Sequence, residues 1–378
     1  MRIGHKKILL KEVATFLNGY AFKPSDWSKE GLPIIRIQNL TGTNRDFNYY
    51  NGNYNKKYLI ENGDILISWS ASLGIFLWEN MTGILNQHIF KVIFDKNIEI
   101  DKIYFLHCMK FLIKKIEKNI HGSTMKHITR PEFEKIKFPI YEIDIQRKIS
   151  KKLIFITKII ENNKKLLNKM EELSKSLFTK YSKNKKVVNL ELEEICEFIK
   201  DGTHQTPTYV NTNENGYKFL SSKDVSKGII NWDNTKYISE ELHKELYKKI
   251  APKKNDILLA KNGTTGIAAL VDKEEIFDIY VSLAILRLKK EYNPKYILEG
   301  INSIETNQQF KKSLKGIGVP NLHLKEIKKV KIPIPPIELQ NKFAERVEKI
   351  EKLKFEIEKS IEEAQKLYNS LISKYFDN

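Results

Sequence analysis

The stretch "KIPIPPIELQNKF", Lys331–Phe343, repeats near the end of the chain what "KFPIYEIDIQRKI", Lys137–Ile149, says earlier. Six of the thirteen positions are identical, and Pro139 and Pro333 stand 194 residues apart in a chain of 378. Further blocks return in the same order. "LKEVATFLNG" from Leu10 pairs with "LEEICEFIKDG" from Leu192, and "NGDILISWSASLGI" from Asn62 with "KNDILLAKNGTTGI" from Lys254. "IIRIQNL" at 34–40 matches "FLSSKDV" at 219–225 in apolar pattern. The offset drifts from 182 to about 194, as small loop insertions produce. The chain reads as a tandem duplication.

Each half has the same internal grammar. Short β-branched and aromatic runs such as "PIIRIQNL", "GDILISW" and "HIFKVIF", broken by Asn, Gly and Ser, predict strands with turns between them. A helix-like stretch follows at 102–119 and again at 294–312, then the Pro motif, then a long helical pattern. Stepping by four and three from Ile149 gives Leu153, Ile156, Ile160, Asn163, Leu167, Met170, Ser174, Leu177 and Tyr181. The 194 offset gives Phe343, Val347, Ile350, Lys354, Ile357, Ile361, Ala364, Tyr368, Leu371 and Tyr375. All but Asn163, Ser174 and Lys354 are apolar, aromatic or Ala, which is a heptad seam on each helix. The prolines are expected just ahead of the helices, ending the preceding fold. Residues 145–188 carry 13 basic and 3 acidic side chains, against 8 and 9 in 338–378, so an antiparallel pair avoids placing two strongly basic faces together.

The predicted fold is α+β: two β-rich domains related by a pseudo-two-fold axis, separated by two long helices in an antiparallel coiled coil. Boundaries are expected at 1–144, 145–188, 189–337 and 338–378, the second and fourth segments being helical spacers.

Lys and Arg number 65 against 47 Asp and Glu, a net charge of +18. That favours a polyanion or an acidic surface as partner, although a Lys- and Asn-rich composition gives the same excess without one. Two cysteines without a CxxC, and eight histidines without HExxH spacing, predict neither a disulfide framework nor a metal site. No signal-peptide pattern or membrane-length apolar run occurs, so the expected location is the cytoplasm. An Asn/Asp-Pro-Pro-aromatic methyltransferase signature and a GxxxxGK[ST] phosphate loop are both absent. "KNGTTG" at 261–266 lacks the Lys-Ser/Thr of such a loop and reads as a turn. No Ser/His/Asp or Cys/His set repeats in both halves, so catalysis by this chain is not expected.

Two diverged modules on a long spacer suit a ligand with two separated sites, such as duplex DNA. Residues 1–144 and 189–337 carry only +6 and +3, too little for either to grip phosphate strongly alone. The paired "FPIYEIDIQRKI" and "IPIPPIELQNKF" motifs, each opening a long helix, resemble the specificity subunit of type I restriction-modification systems. "DGTH…P" at 201–207, with "GDILIS" and "NDILLA", is similar to that family's two target recognition domains. The first half departs from the pattern with "NGYAFKP" at 18–24 and "PIYE" in place of "PIPP". The resemblance implies a bipartite, asymmetric double-stranded DNA target, one half read by each domain. It implies two modification subunits docked on the helices, which bring S-adenosylmethionine and methylate adenine. Motor-nuclease restriction subunits join such an assembly to cut unmodified DNA.

Base-edge readers need polar or basic side chains on loops. In the first module these are Lys23, Arg36, Gln38, Asn39, Ser70, Ser72, Gln87, His88, Lys126 and His127. In the second they are His204, Gln205, Thr206, Ser221, Ser222, Lys223, Lys261, Asn262, Thr264, Thr265 and His323. Trp69 and Trp232 are candidates for stacking or for the core. Two other functions fit the same pattern: a stand-alone DNA-binding regulator, which needs no partner for affinity, and a coiled-coil scaffold that never touches nucleic acid.

Overall fold

The computed structural model describes residues 6–44, 46–69, 73–119, 130–211, 216–225, 228–314 and 321–377. The chain forms two compact units, Met1–Lys164 with Lys359–Asn378, and Lys165–Glu358. Each boundary between the units falls inside a 40-residue helix.

Unit 1 runs β1 (Lys6–Leu9), α1 (Leu10–Val13), β2 (Thr15–Asn18), β3 (Leu32–Ile35), α2 (Ile37–Thr41), β4 (Asn48–Tyr50) and β5 (Leu59–Ile60). It continues through β6 (Ile65–Ser68), β7 (Gly74–Leu77), β8 (Gly83–Leu85), β9 (Ile89–Ile93), α3 (Lys102–Asn119), α4 (Arg130–Glu134) and β10 (Lys137–Ile140) into α5 (Ile143–Ser182). Its sheets are β1-β10, β2-β9-β6-β7 and β4-β3-β8-β5, with β3 and β8 parallel.

Unit 2 holds β11 (Val188–Glu191), α6 (Leu192–Ile195), β12 (Cys196–Asp201), β13 (Tyr217–Leu220), β14 (Lys236–Ile238) and α7 (Glu240–Lys249). Then come β15 (Ile257–Ala260), β16 (Ala268–Leu270), β17 (Phe277–Ile279), β18 (Leu283–Leu288), α8 (Pro294–Asn302), α9 (Ile304–Ser313), α10 (Leu324–Lys328), β19 (Lys331–Ile334) and α11 (Ile337–Phe376). The sheets are β11-β19, β12-β18-β15-β16 and β14-β13-β17, with β13 and β17 parallel.

The pairing follows the repeat in its outline, with two one-residue slips: Ile75 faces Ile67 where Ala268 faces Leu259, and Phe16 faces Val92 where Ile199 faces Leu286 after a bulge at Cys196/Phe198. Lys6 faces Ile140 in unit 1 and Val188 faces Ile334 in unit 2, so both ends of the drifting offset meet in equivalent ladders. "ILIS" and "ILLA" are buried at every position, which is why they read as continuous apolar runs rather than alternating ones. The aspartate before each fixes the entry turn. Asp64 accepts from Glu61 N at 2.8 Å and pairs with Lys91 at 2.7 Å; Asp256 accepts from Lys253 N at 2.8 Å and pairs with Arg287 at 2.7 Å.

The Pro motif differs from expectation in one respect. Pro139 and Pro333 lie within β10 and β19, opposite Lys7 and Asn189. A two-stranded sheet has only edge strands, so a residue without an N–H is tolerated there. The repeated glutamine explains much of the motif. Gln146 and Gln340 are buried; each donates to the carbonyl five residues back (Tyr141, Pro335) at 2.8 Å. Each also accepts from the backbone N–H of the residue just before α3 or α8 (Asp101, Asn293) at 2.9 Å. Tyr104 and Tyr296 donate to the Pro139 and Pro333 carbonyls at 2.7 and 2.9 Å. The motif is a clamp between strand, long helix and α3 or α8.

The units diverge at one sheet edge. Where unit 1 pairs β5 with β8, unit 2 lays α7 against β17. His243 on α7 meets Asp278 at 2.7 Å and Tyr217 stacks on its ring at 3.8 Å. Burial pushes the Asp278 carboxyl up to about 6, with His243 pulling the other way.

α5 and α11 are each 40 residues long, about 60 Å at 1.5 Å per residue. Between 161 and 176 the residues of α5 that are not exposed are Asn163, Leu167, Met170 and Ser174, all on the predicted seam. Every seam position of α11 is likewise sheltered. Within unit 1 the two helices run antiparallel, Lys152 reaching Tyr375 at 3.4 Å and Asn163 reaching Ser360 at 3.0 Å. Within unit 2, Glu171 meets Lys354 at 3.7 Å, and the Tyr181 ring lies 5.7 Å from that of Phe343. Unit 1's core therefore joins Leu10, Phe138 and Leu153 to Ile372, Tyr375 and Phe376; unit 2's joins Phe178, Tyr296 and Ile332 to Phe343.

Candidate nucleic-acid interface

In each unit four segments converge on one sheet end: the exits of β2, β3 and β6 and the turn from β8 to β9 in unit 1, and the exits of β12, β13 and β15 and the turn from β17 to β18 in unit 2. In unit 1, Gly19 N bonds Ile89 O, Tyr20 N bonds Leu85 O, Gln87 N bonds Tyr20 O and Trp69 N bonds His88 O, at 2.7–3.4 Å. In unit 2, Gly202 N bonds Leu283 O, Thr203 N bonds Ile279 O, Val281 N bonds Thr203 O and Lys261 N bonds Ser282 O, at 2.9–3.3 Å. Backbone crossings this close require the glycine. A Cβ on Gly19 or Gly202 would lie 2.2 Å from Asn86 O or 2.1 Å from Ile279 O. Thus "NGYAFKP" and "DGTHQTP" share their Gly, the backbone crossing it allows and the Pro five residues later.

On this common backbone the side chains differ. Tyr20 stands where unit 2 has Thr203, Arg36 where it has Ser221, Trp69 where it has Lys261, and Gln87–His88 where it has Val281–Ser282. Most of the candidate residues gather here. Lys23, Arg36, Gln38, Asn39, Gln87 and His88 do so in unit 1; Ser70, Ser72, Lys126 and His127 lie outside the described residues. In unit 2, His204, Gln205 and Thr206 follow β12, Ser221, Ser222 and Lys223 follow β13, and Lys261, Asn262, Thr264 and Thr265 follow β15. Leu322 N bonds Lys261 O and brings His323 to the same end. His204 and Gln205 also line a cleft of about 320 Å³ against the end of α7.

Not all of these side chains face outward. Asn39 accepts from Arg36 N at 3.0 Å and donates to Asp46 O at 3.0 Å. Ser221 donates to Asp224 at 2.9 Å, and Ser222 N bonds Ser282. Lys261 is 5% exposed, its ammonium 2.5 Å from Asp201, and it ties two of the converging loops together. Trp232 is a packing residue, edge-on to Phe277 with its N–H on Asp272.

Six buried side-chain polar atoms lack a partner among the described residues, and five lie at these ends: Arg36 Nε, Trp69 Nε1, Gln87 Oε1, Asn262 Oδ1 and Asn321 Oδ1. Such atoms cost about 1–3 kcal/mol each, so their concentration marks a surface shaped for something other than its own stability. Asn321 was not singled out by the sequence, yet the 194 offset carries His127 onto it. Trp27 and Tyr20, each 43% exposed beside Arg36 and Gln87, carried no repeat signal. Among the described residues no cluster of His, Cys, Asp or Glu is arranged for a metal, and no helix is long and apolar enough to cross a membrane.

The family model for the type I restriction modification DNA specificity domain matches twice, over residues 4–172 and 184–366. The chain belongs to this family of type I specificity subunits. Two curated specificity subunits agree along most of their length. The EcoBI type I restriction enzyme specificity subunit of Escherichia coli is 24% identical, covering 97% of this chain and 83% of the relative. The MjaVIII subunit of Methanocaldococcus jannaschii is 27% identical, covering 84% and 80%. In fold, this specificity subunit resembles the type I S subunit from M. genitalium, with TM-score 0.60 and 15% identity over 99% and 96% of the two chains. A chain solved in a study of type I complex assembly matches with TM-score 0.61 and 15% identity, covering 99% and 97%.

Proposed function

We propose that this specificity subunit reads a bipartite, asymmetric double-stranded DNA sequence, each unit reading one half with the strand-end surface described above. The observation that carries this is the set of matching backbone hydrogen bonds at the two surfaces under different side chains. A constant frame positions the loops, and the substituents on it set which base edges are met. The chain itself performs no chemistry. Two methyltransferase subunits dock on the long helices and bring S-adenosylmethionine for adenine methylation, and motor-nuclease subunits join them in the cytoplasm. The helices, of equal length, set the unread gap between the half-sites.

Genome-wide N6-methyladenine mapping, with and without this chain, tests the reading. Expected is one gapped motif that disappears with the chain. The purified chain should not methylate DNA, and should gain salt-dependent specific binding when mixed with a modification subunit. Methyl transfer by this chain alone, or methylation indifferent to its loss, overturns the proposal.

A further inference from the structure

The units differ in chemistry at the exit of the parallel strand. Unit 2 places Ser221 there, its hydroxyl spent on Asp224. Unit 1 places Arg36, with backbone N–H held by Asn39 at 3.0 Å. No carboxylate among the described residues pairs with its guanidinium. Instead the guanidinium carbon lies 5.4 Å from the centre of the Trp27 ring, and Nε is buried without an acceptor. Trp27, 43% exposed, is held through its backbone N–H by Pro24 O at 3.2 Å. A planar cation resting on an aromatic face keeps its donor fork free, and little rotamer entropy is lost when that fork is used. Nε and the neighbouring Nη form an edge that two parallel acceptors would satisfy.

We infer that Arg36 reads a guanine, through O6 and N7 in the major groove, and that Trp27 is its positioning residue. Guanine is the base whose major-groove edge offers two adjacent acceptors matching that fork. A phosphate offers the same charge-assisted pairing, so the test separates the two. The inference rests on the DNA-reading assignment made above and gives it a specific base in unit 1's half-site.

The experiment is methylation mapping in cells carrying the full chain with its modification subunit, comparing wild type with Arg36→Lys, Arg36→Gln and Trp27→Ala. Expected is relaxation at one guanine of one half-site, by roughly 10- to 100-fold for Arg36→Gln. The other half-site and the gap stay fixed, which also reports that each variant folds. Arg36→Lys keeps the charge but loses the fork, and Trp27→Ala loses the platform, so both should relax the same position more weakly. An unchanged motif with uniformly weaker methylation assigns Arg36 to phosphate and overturns the inference. So does a wild-type half-site without guanine. Absence of any gapped motif in the wild type instead overturns the DNA-reading assignment itself.

Discussion

Gln340 fills two roles with one amide, accepting from Asn293 N and donating to Pro335 O while 1% exposed. Leucine at this position keeps the volume but strands both backbone groups. Gln340→Leu should therefore cost about 2–4 kcal/mol, read as a lower urea midpoint; an unchanged midpoint would mean the clamp is dispensable. His107 gives a pH signature. It is buried beside Lys110 and bonded to Tyr368 at 2.8 Å, and desolvation lowers its imidazole to about 4. A depressed value means the stabilisation is complete above the unfolded value of about 6.5 and is lost as pH falls toward 4. The full loss is roughly 3 kcal/mol. His107→Gln should flatten that part of the stability curve between pH 7 and 4.5, and a variant as acid-sensitive as wild type contradicts this. Local sequence cannot distinguish such anchors from readers. Lys261 looks like any loop lysine because its partner, Asp201, lies 60 residues earlier. Asn39 and Ser221 are likewise occupied by bonds that only the folded turn creates.

The long helices were the most legible elements, since a heptad period fixes which face is sheltered before any partner is known. The strands of the repeat were also legible, although a bulge in β12 and a longer turn before β16 each shift the register by one residue from the sequence match. The replacement of β5 by α7 was not, because the helix is anchored through Asp278, 35 residues downstream of His243. Matched seams make a prediction about spacing. Seven residues added at equivalent points of both α5 and α11 keep the seam and add about 10 Å. At about 3.4 Å per base pair the unread gap should widen by about three base pairs, with half-sites unchanged. Methylation mapping of the lengthened chain decides it; a fixed gap in an active variant rules the helices out as the spacer.

At the scale of the whole molecule, separate cores and a shared backbone frame imply interchangeable readers. Replacing residues 189–330 with the matching segment of a relative should change one half of the methylated motif and leave the other intact. If both halves changed together, the units would not read independently. Whole-chain duplication was visible in the sequence because scaffold residues recur in the same order, at offsets that drift only from 182 to about 194. The strand-end surface proposed to read DNA was only partly visible, since its side chains are where the copies differ.

The cores also set an order in time. Unit 2 is one unbroken run, 165–358, but unit 1 needs Ile372, Tyr375 and Phe376 to cover Leu10, Phe138 and Leu153. A ribosome emits the first of these long before the last: at about 5–20 residues per second, the span from 165 to 376 takes roughly 10–40 s. Unit 1's core is incomplete until Ile372–Phe376 are made, whereas unit 2's residues are all present by Glu358. A chain that stalls before Ile372 leaves the first core unfinished, which presents an unfinished product to chaperones and proteases.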